Sequence, residues 1–306
     1  MISSVTWKKG ISLTNARCPI RFFLTQSHMT CTILLIFMLL SGCSITHALR
    51  VEDRTTVDIR TMIDEVSTVP VVFVGERHDA SAHHALQLEI LKGLAAKGKS
   101  LAIGMEMFEE SGQKALDAWS AGKLSTRDFV KVYTWNWRNI PYRYYEDIFN
   151  YAREQNIPIV ALNAPREIVM KVAGQGLSSL TNGEKLLLPP GVDAEVSDDY
   201  LNFIRLAYWT HGRKRDNFRY FCEAQMLRNR VMASRIRDYL KLHSERVMVI
   251  IAGGGHVREQ GGIPAELGTL PFKVILPAIP GISAKSVRTE DAHFLLEESF
   301  SLLDWL

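Results

Sequence analysis

The sequence predicts an α/β fold, with a mostly parallel central sheet flanked by helices and a helical insertion. Three observations predict it. Five short apolar runs, at 71–75, 101–105, 158–162, 247–252 and 272–276, are rich in Val and Ile and show no polar–apolar alternation, as expected of strands covered on both faces. Helical periodicity fills the stretches between them, which is the signature of a parallel sheet. The composition, 47% hydrophobic and 23% charged, is that of a globular chain and excludes disorder, collagen and coiled coil.

The first 42 residues read as an export leader. They carry Lys8, Lys9, Arg17 and Arg21 and no acid, then an apolar run of eight at 33–40. A membrane span needs about 20 residues, so the run fits a secretory signal instead. Leu40-Ser41-Gly42-Cys43 follows directly and resembles the bacterial lipobox. The expected organisation is therefore a lipoprotein signal peptide over 1–42, then a tether and lead-in over 43–68 behind a lipidated (palmitate-bearing) Cys43. A single α/β domain follows over 69–306, its helical insertion around 174–245. The expected location is the bacterial cell envelope, lipid-anchored, at the outer membrane facing the periplasm. The leader also explains the charge: of the formal +3, four basic residues sit there, and the remainder balances 32 basic against 33 acidic side chains. Nucleic acid is thus not an expected partner. Cys222 lies among Phe218, Phe221 and Met226 and is expected as a small buried hydrophobe without a disulfide partner.

Within the domain, residues 80–96 place Leu88, Leu91, Leu94 and Ala95 on one helical stripe, with His83 and His84 expected at the surface. Residues 143–155 and 215–243 also read as helices. Residues 174–198, with Gly174, Gly176, Pro189, Pro190 and Gly191, are the least regular part.

Polar residues collect where the apolar runs stop. The first run ends in Gly75-Glu76-Arg77-His78-Asp79, the second in Gly104-Met105-Glu106, the third in Asn163 and the fourth in Gly253-Gly254-Gly255-His256. Ligands of open α/β sheets bind beyond the carboxyl ends of the strands. Charged groups there must be solvated or paired, because lone burial is costly. Glu76, His78, Glu106 and His256 are accordingly expected to share one site. Each has a plainer reading too: a chance Glu-x-His, a helix-capping or salt-bridged carboxylate, a simple glycine turn.

Together, Gly75-Glu76-Arg77-His78-Asp79, Gly104-Met105-Glu106-Met107-Phe108, Ala161-Leu162-Asn163-Ala164-Pro165, Ala224-Gln225 and Ala252-Gly253-Gly254-Gly255-His256-Val257 resemble the ChaN family of haem-binding, iron-regulated bacterial lipoproteins. That family is more distantly related to erythromycin-esterase-like and Tiki proteins. The resemblance runs from about Val71 to Pro264. It implies haem bound at a dimer interface through a tyrosine ligand, and a Glu/His cluster that echoes a metal-hydrolase site in the relatives. The chain departs from the pattern at Asn229, where the resemblance implies an acidic residue, and near Asp147, where it implies a proline.

Residues 133–151 hold eight aromatics, Tyr133, Trp135, Trp137, Tyr142, Tyr144, Tyr145, Phe149 and Tyr151, in 19 positions. A flat macrocycle needs such a surface, and ferric haem accepts tyrosinate; a core stripe or a dimer interface would need it equally. With the resemblance, Tyr145 is the expected haem ligand, with Tyr142 and Tyr144 as rivals. The stretch 213–246 is basic (Arg213, Lys214, Arg215, Arg219, Arg228, Arg230, Arg235, Arg237, Lys241 and Arg246). It is expected as a solvated helix face, with haem propionates or anionic lipid as alternative partners. Two function classes result. One is a lipid-anchored haem-binding protein for iron or haem acquisition, with a second copy of the chain as a partner in a homodimer. The other is a hydrolase in which Glu76, His78, Glu106 and His256 act by acid–base chemistry, or in which His78, His256 and Glu106 hold a divalent metal.

Overall fold

The computed structural model describes residues 45–193, 195–210 and 218–296. The signal peptide, Cys43 and the cations Arg213, Lys214 and Arg215 lie outside the described residues.

The lead-in is part of the fold. Strands β1 (His47–Arg50) and β2 (Thr55–Asp58) form a hairpin, and α1 (Ile59–Val66) follows at once. The expected tether and lead-in over 43–68 joins the fold from His47 onward, where Ala48, Ile59, Met62 and Val66 bury their side chains in the core. Asp58 caps α1 by accepting the Thr61 amide at 2.7 Å.

Then come β3 (Val71–Glu76), α2 (Ser81–Ala96), β4 (Ser100–Glu109), α3 (Gln113–Ser120), α4 (Thr126–Asn136), α5 (Glu146–Glu154) and β5 (Ile159–Asn163). The insertion holds α6 (Arg166–Gln175), α7 (Asn182–Lys185), α8 (Asp198–Thr210) and α9 (Phe218–Leu242). The chain closes with β6 (Arg246–Gly253), α10 (Gly254–Val257), β7 (Phe272–Leu276) and β8 (Phe294–Leu296). The eight strands form one sheet in the order β2-β1-β8-β7-β3-β6-β4-β5. Every pairing from β8 to β5 is parallel, and β1 alone runs antiparallel to its neighbours.

The central strands alternate between two cores. Val72 and Val74 face the layer of α1 to α5, while Val71 and Phe73 face α9. Two apolar faces explain why the runs showed no alternation. The half of α9 bearing Met232, Ala233, Ile236 and Leu240 covers the sheet, whereas its first half packs against the insertion through Ala224, Leu227 and Cys222. Cys222 is buried and free.

Helix α2 departs from its expected stripe. Its buried face carries His83, His84, Leu86, Gln87, Ile90, Leu91 and Leu94, while Leu88 and Ala95 are only partly buried. The expectation of surface histidines is corrected: His83 accepts the Arg77 amide at 2.9 Å, and His84 is drawn in by polar partners.

Candidate functional site

The carboxyl ends of β3, β4, β5 and β6 lie side by side in the sheet, so their terminal residues converge as the sequence implied. Glu76, Glu106 and His256 are buried, and the His78 side chain is 31% exposed. Two linked networks result.

The first centres on Glu76. Its Oε1 accepts from His78 Nδ1 at 2.7 Å and from the Tyr145 hydroxyl. Its Oε2 accepts from Gln87 Nε2 at 2.7 Å and lies 3.4 Å from His84 Nδ1. Burial alone would raise the Glu76 pKa, but the hydrogen bonds and charges of His78 and His84 outweigh it and hold the carboxyl well below its ordinary range. Burial opposes charge on both histidines, yet Glu76 raises each above 6.5. For His84 the geometry agrees: Nδ1 faces Gln87 Oε1 at 3.1 Å and Nε2 faces the His78 carbonyl at 3.2 Å. Two acceptors require two N–H donors, which only the imidazolium has.

The second network centres on Glu106. The pairing of β4 with β6 ends at Met105, and a bulge interrupts its pairing with β5 before Glu109. The expected strand therefore runs four residues further, and Glu106 sits in the irregular part, where bulges re-aim side chains. Glu106 Oε1 accepts from Arg228 Nη2 at 2.5 Å and Oε2 from the Gly253 amide at 2.7 Å. Arg228 also donates to Asn163 Oδ1 at 3.0 Å and Gln225 Oε1 at 3.1 Å. His256 Nε2 lies 3.6 Å from Glu106, and its Nδ1 is bonded to Asn229 Oδ1 at 2.5 Å. Burial, helped by the Arg228 and His78 charges, outweighs Glu106 and pushes His256 down to about 3, so it is neutral. A neutral His256 lends no charge to Glu106. Burial would raise that carboxyl, and Arg228 with the Gly253 amide holds it ionised below its ordinary value. Gly253 joins the two networks: a Cβ there would stand 3.1 Å from the His78 ring and 3.6 Å from Glu106 Oε2.

The expectation that His78, His256 and Glu106 hold a metal gains no support. Among the described residues, no group of three His, Cys, Asp or Glu side chains is placed to bind one. Arg228 occupies the Glu106 oxygen that faces His256 and supplies a competing positive charge. What remains is a Glu76–His78 pair beside an ionised Glu106 and a neutral His256, an arrangement suited to proton transfer or to positioning a polar ligand.

Arg228, Gln87 and Asn229 were not singled out as site residues by sequence. Arg228 belongs to the basic stretch, whose described arginines are mostly paired rather than solvated. Arg230 pairs with Glu266 at 3.2 Å, and Arg235 with Glu110 at 2.8 Å. Gln87 was legible in principle, because His84, Gln87, Leu91 and Leu94 share one helical face.

The aromatic segment divides into core and surface. Tyr133, Tyr145 and Phe149 are fully buried beside Phe108, Trp119 and Phe129. Tyr145, the expected haem ligand, has its hydroxyl buried and given to Glu76, and burial next to that carboxylate opposes phenolate formation. The Tyr142 oxygen is buried as well, without a hydrogen-bond partner among the described residues. Tyr144 differs. It is half-buried and lines a groove of about 480 Å³ with Ala85, Leu88, Ile148, His84 and Arg143. The Arg143 guanidinium lies 5.3 Å from the Tyr144 ring. A phenol, an apolar wall and a cation fit the iron, the macrocycle and a propionate respectively.

A family model described as haem-binding uptake, Tiki superfamily, ChaN, matches residues 62–267. Among solved structures, ChaN of Campylobacter jejuni, described with cofacial heme binding, is 16% identical with a TM-score of 0.65, over 83% of this chain and 97% of its own. An erythromycin esterase mutant in its open conformation is 11% identical with a TM-score of 0.46, over 83% of this chain and 82% of its own. Among curated proteins, the chloroplastic RETICULATA-RELATED 5 of Arabidopsis thaliana is 20% identical over 154 residues, 48% of this chain. The chain spans only 21% of that relative's length.

Proposed function

The chain belongs to the haem-binding uptake family of ChaN in the Tiki superfamily, and from that premise we propose that it binds ferric haem in the groove beside Tyr144, for haem or iron acquisition at the bacterial envelope. The observation that carries the choice of groove is the partial exposure of Tyr144, against the buried and committed hydroxyl of Tyr145. Bound haem would supply redox-active, transferable iron. The chain's own part is to offer the Tyr144 oxygen, to line the macrocycle with Ala85, Leu88 and Ile148, and to meet a propionate with Arg143. Cofacial binding, as described for Campylobacter jejuni ChaN, would bring two such grooves together in a homodimer. Lipidation at Cys43 would hold the protein at the outer membrane, where a carrier of an apolar, poorly soluble cofactor is useful. Among the described residues no helix is long and apolar enough to cross a membrane. Titrating detergent-solubilised full chain with hemin tests the reading. It should give a saturable, high-spin spectrum with the charge-transfer band of a tyrosinate ligand, and the band should vanish in Tyr144→Phe.

One observation favours a second reading, an acid–base hydrolase: His78 is oriented by Glu76 at 2.7 Å at the edge of the cluster. Because Glu76 raises the His78 pKa, Glu76→Gln should shift any ester-hydrolysis pH profile downward. A profile unmoved by Glu76→Gln and by His78→Ala would discard this reading.

A further inference from the structure

A second cleft, separate from the Tyr144 groove, opens between the end of β4 (Met107), the end of α4 (Trp135, Trp137) and the first turns of α6 (Arg166, Val169, Met170), with a volume of about 210 Å³. Its lips are apolar and exposed: Trp135 is 66% and Met170 63% accessible. Single exposed apolar side chains need no explanation, but two large ones on one concavity mark a binding surface.

Two polar features say what the cleft would take. The Trp137 indole N–H is buried and has no hydrogen-bond partner among the described residues. Such a donor is costly to leave unpaired, so an acceptor is missing. Arg166 is exposed, and among the described residues no carboxylate pairs with its guanidinium. The carboxylate that lines the cleft, Glu109, is already engaged, accepting the Arg166 amide at 2.8 Å and the Ser111 hydroxyl at 3.1 Å. Arg138 lies 4.9 Å from the Trp135 ring and adds a second cation at that side chain. Arg228, also in the lining, is committed to Glu106 and Asn163.

We propose that this cleft binds a small aromatic carboxylate. Its ring lies against Trp135 and Met170, and its carboxylate accepts from the Trp137 N–H and from the Arg166 guanidinium. A guanidinium and an indole N–H are matched to a planar, singly charged acceptor, and the volume suits one or two fused rings. The site goes beyond the haem reading and does not depend on it. It also adjoins the cluster: the Trp137 and His78 rings meet edge to face at 5.0 Å.

The probes are 2-naphthoate and its uncharged analogue 2-naphthalenemethanol, titrated calorimetrically into detergent-solubilised full chain. Naphthoate should bind with one-to-one stoichiometry, at least about tenfold tighter than the alcohol, as a charged hydrogen bond warrants. Arg166→Gln, a change at an exposed side chain, should bring naphthoate to the affinity of the alcohol. Trp135→Ala should weaken both, and bound naphthoate should move the His78 NMR signals. Equal affinity for the two probes, or unchanged binding by both variants, would overturn the proposal. Saturating hemin should leave naphthoate bound, and displacement would give the cleft to haem instead. Tyr144→Phe should spare naphthoate binding, so a failure of the haem reading and a failure of this one are told apart.

Discussion

Replacing Tyr145 by Phe removes one oxygen and nothing else. The ring keeps its contacts with His84 at 4.3 Å, Tyr133 at 6.1 Å and Phe149 at 6.3 Å, so no cavity opens. What is lost is a hydrogen bond between two fully buried groups, one of them the ionised Glu76. Bonds to charged partners contribute about 1.5–3 kcal/mol, and a buried acceptor deprived of a donor sits at the upper end of that range. Glu76 retains His78, Gln87 and His84, which keeps the loss from exceeding it. With a urea slope near 3 kcal/mol/M for a domain of this size, the unfolding midpoint should fall by about 0.5–1 M at unchanged slope. Tyr144→Phe is the control: the same atom is deleted at a half-buried site, where the change should stay within about 0.5 kcal/mol. Equal midpoints for wild type and Tyr145→Phe would refute the placement of this hydroxyl on Glu76.

Stability should peak near pH 6.5, because the buried neutral His256, pushed down to about 3, and His293, pushed down to about 4, cost stability as pH falls below that value. His78 and His84 have folded pKa values raised above 6.5, so their stabilisation is complete below that pH and is lost as pH rises through the folded values. Glu76 and Glu106 are depressed below 4.5, so theirs is present above 4.5 and is lost as pH falls. Urea midpoints across pH should therefore decline on both sides, and His84→Gln should flatten the alkaline limb; a limb as steep in the variant would contradict the imidazolium. At His256, Asn229→Asp places a carboxylate on Nδ1, and NMR titration should find the ring moved from about 3 up to about 6 or 7. A ring that stays neutral throughout would show that Asn229 does not set its charge. Mass spectrometry of the membrane fraction should find diacylglyceryl-modified Cys43 as the amino terminus; an intact leader would disprove the lipobox reading.

The central sheet was legible because its strands are buried on both faces. Val, Ile and Leu then run uninterrupted, and 272–276 matched β7 at both ends. The outer strands were not legible for the opposite reason. His47–Arg50 and Thr55–Asp58 have four residues each, Thr55–Asp58 lies at the sheet edge and is largely exposed, and Phe294–Leu296 has three residues. The site was half legible. Glu76, His78, Glu106 and His256 could be placed together because each ends a buried strand, a position fixed by topology alone. Their partners could not: Gln87, Asn229 and Arg228 come from helices whose rotation about the sheet is set by packing. Arg228 was hidden further by nine neighbouring cations in one stretch. Density of aromatics likewise cannot tell core from surface, so the burial of Tyr145 and the partial exposure of Tyr144, adjacent in sequence, could not be told apart.

Hemin affinity measured side by side in wild type, Tyr144→Phe and Tyr145→Phe tests the haem assignment most directly. Removing the Tyr144 oxygen should weaken binding at least about tenfold, the loss of one strong ligand contact, and abolish the tyrosinate band. Removing the Tyr145 oxygen should leave both affinity and band as in wild type. The reverse pattern, with Tyr145→Phe losing the band and Tyr144→Phe keeping it, would contradict the account.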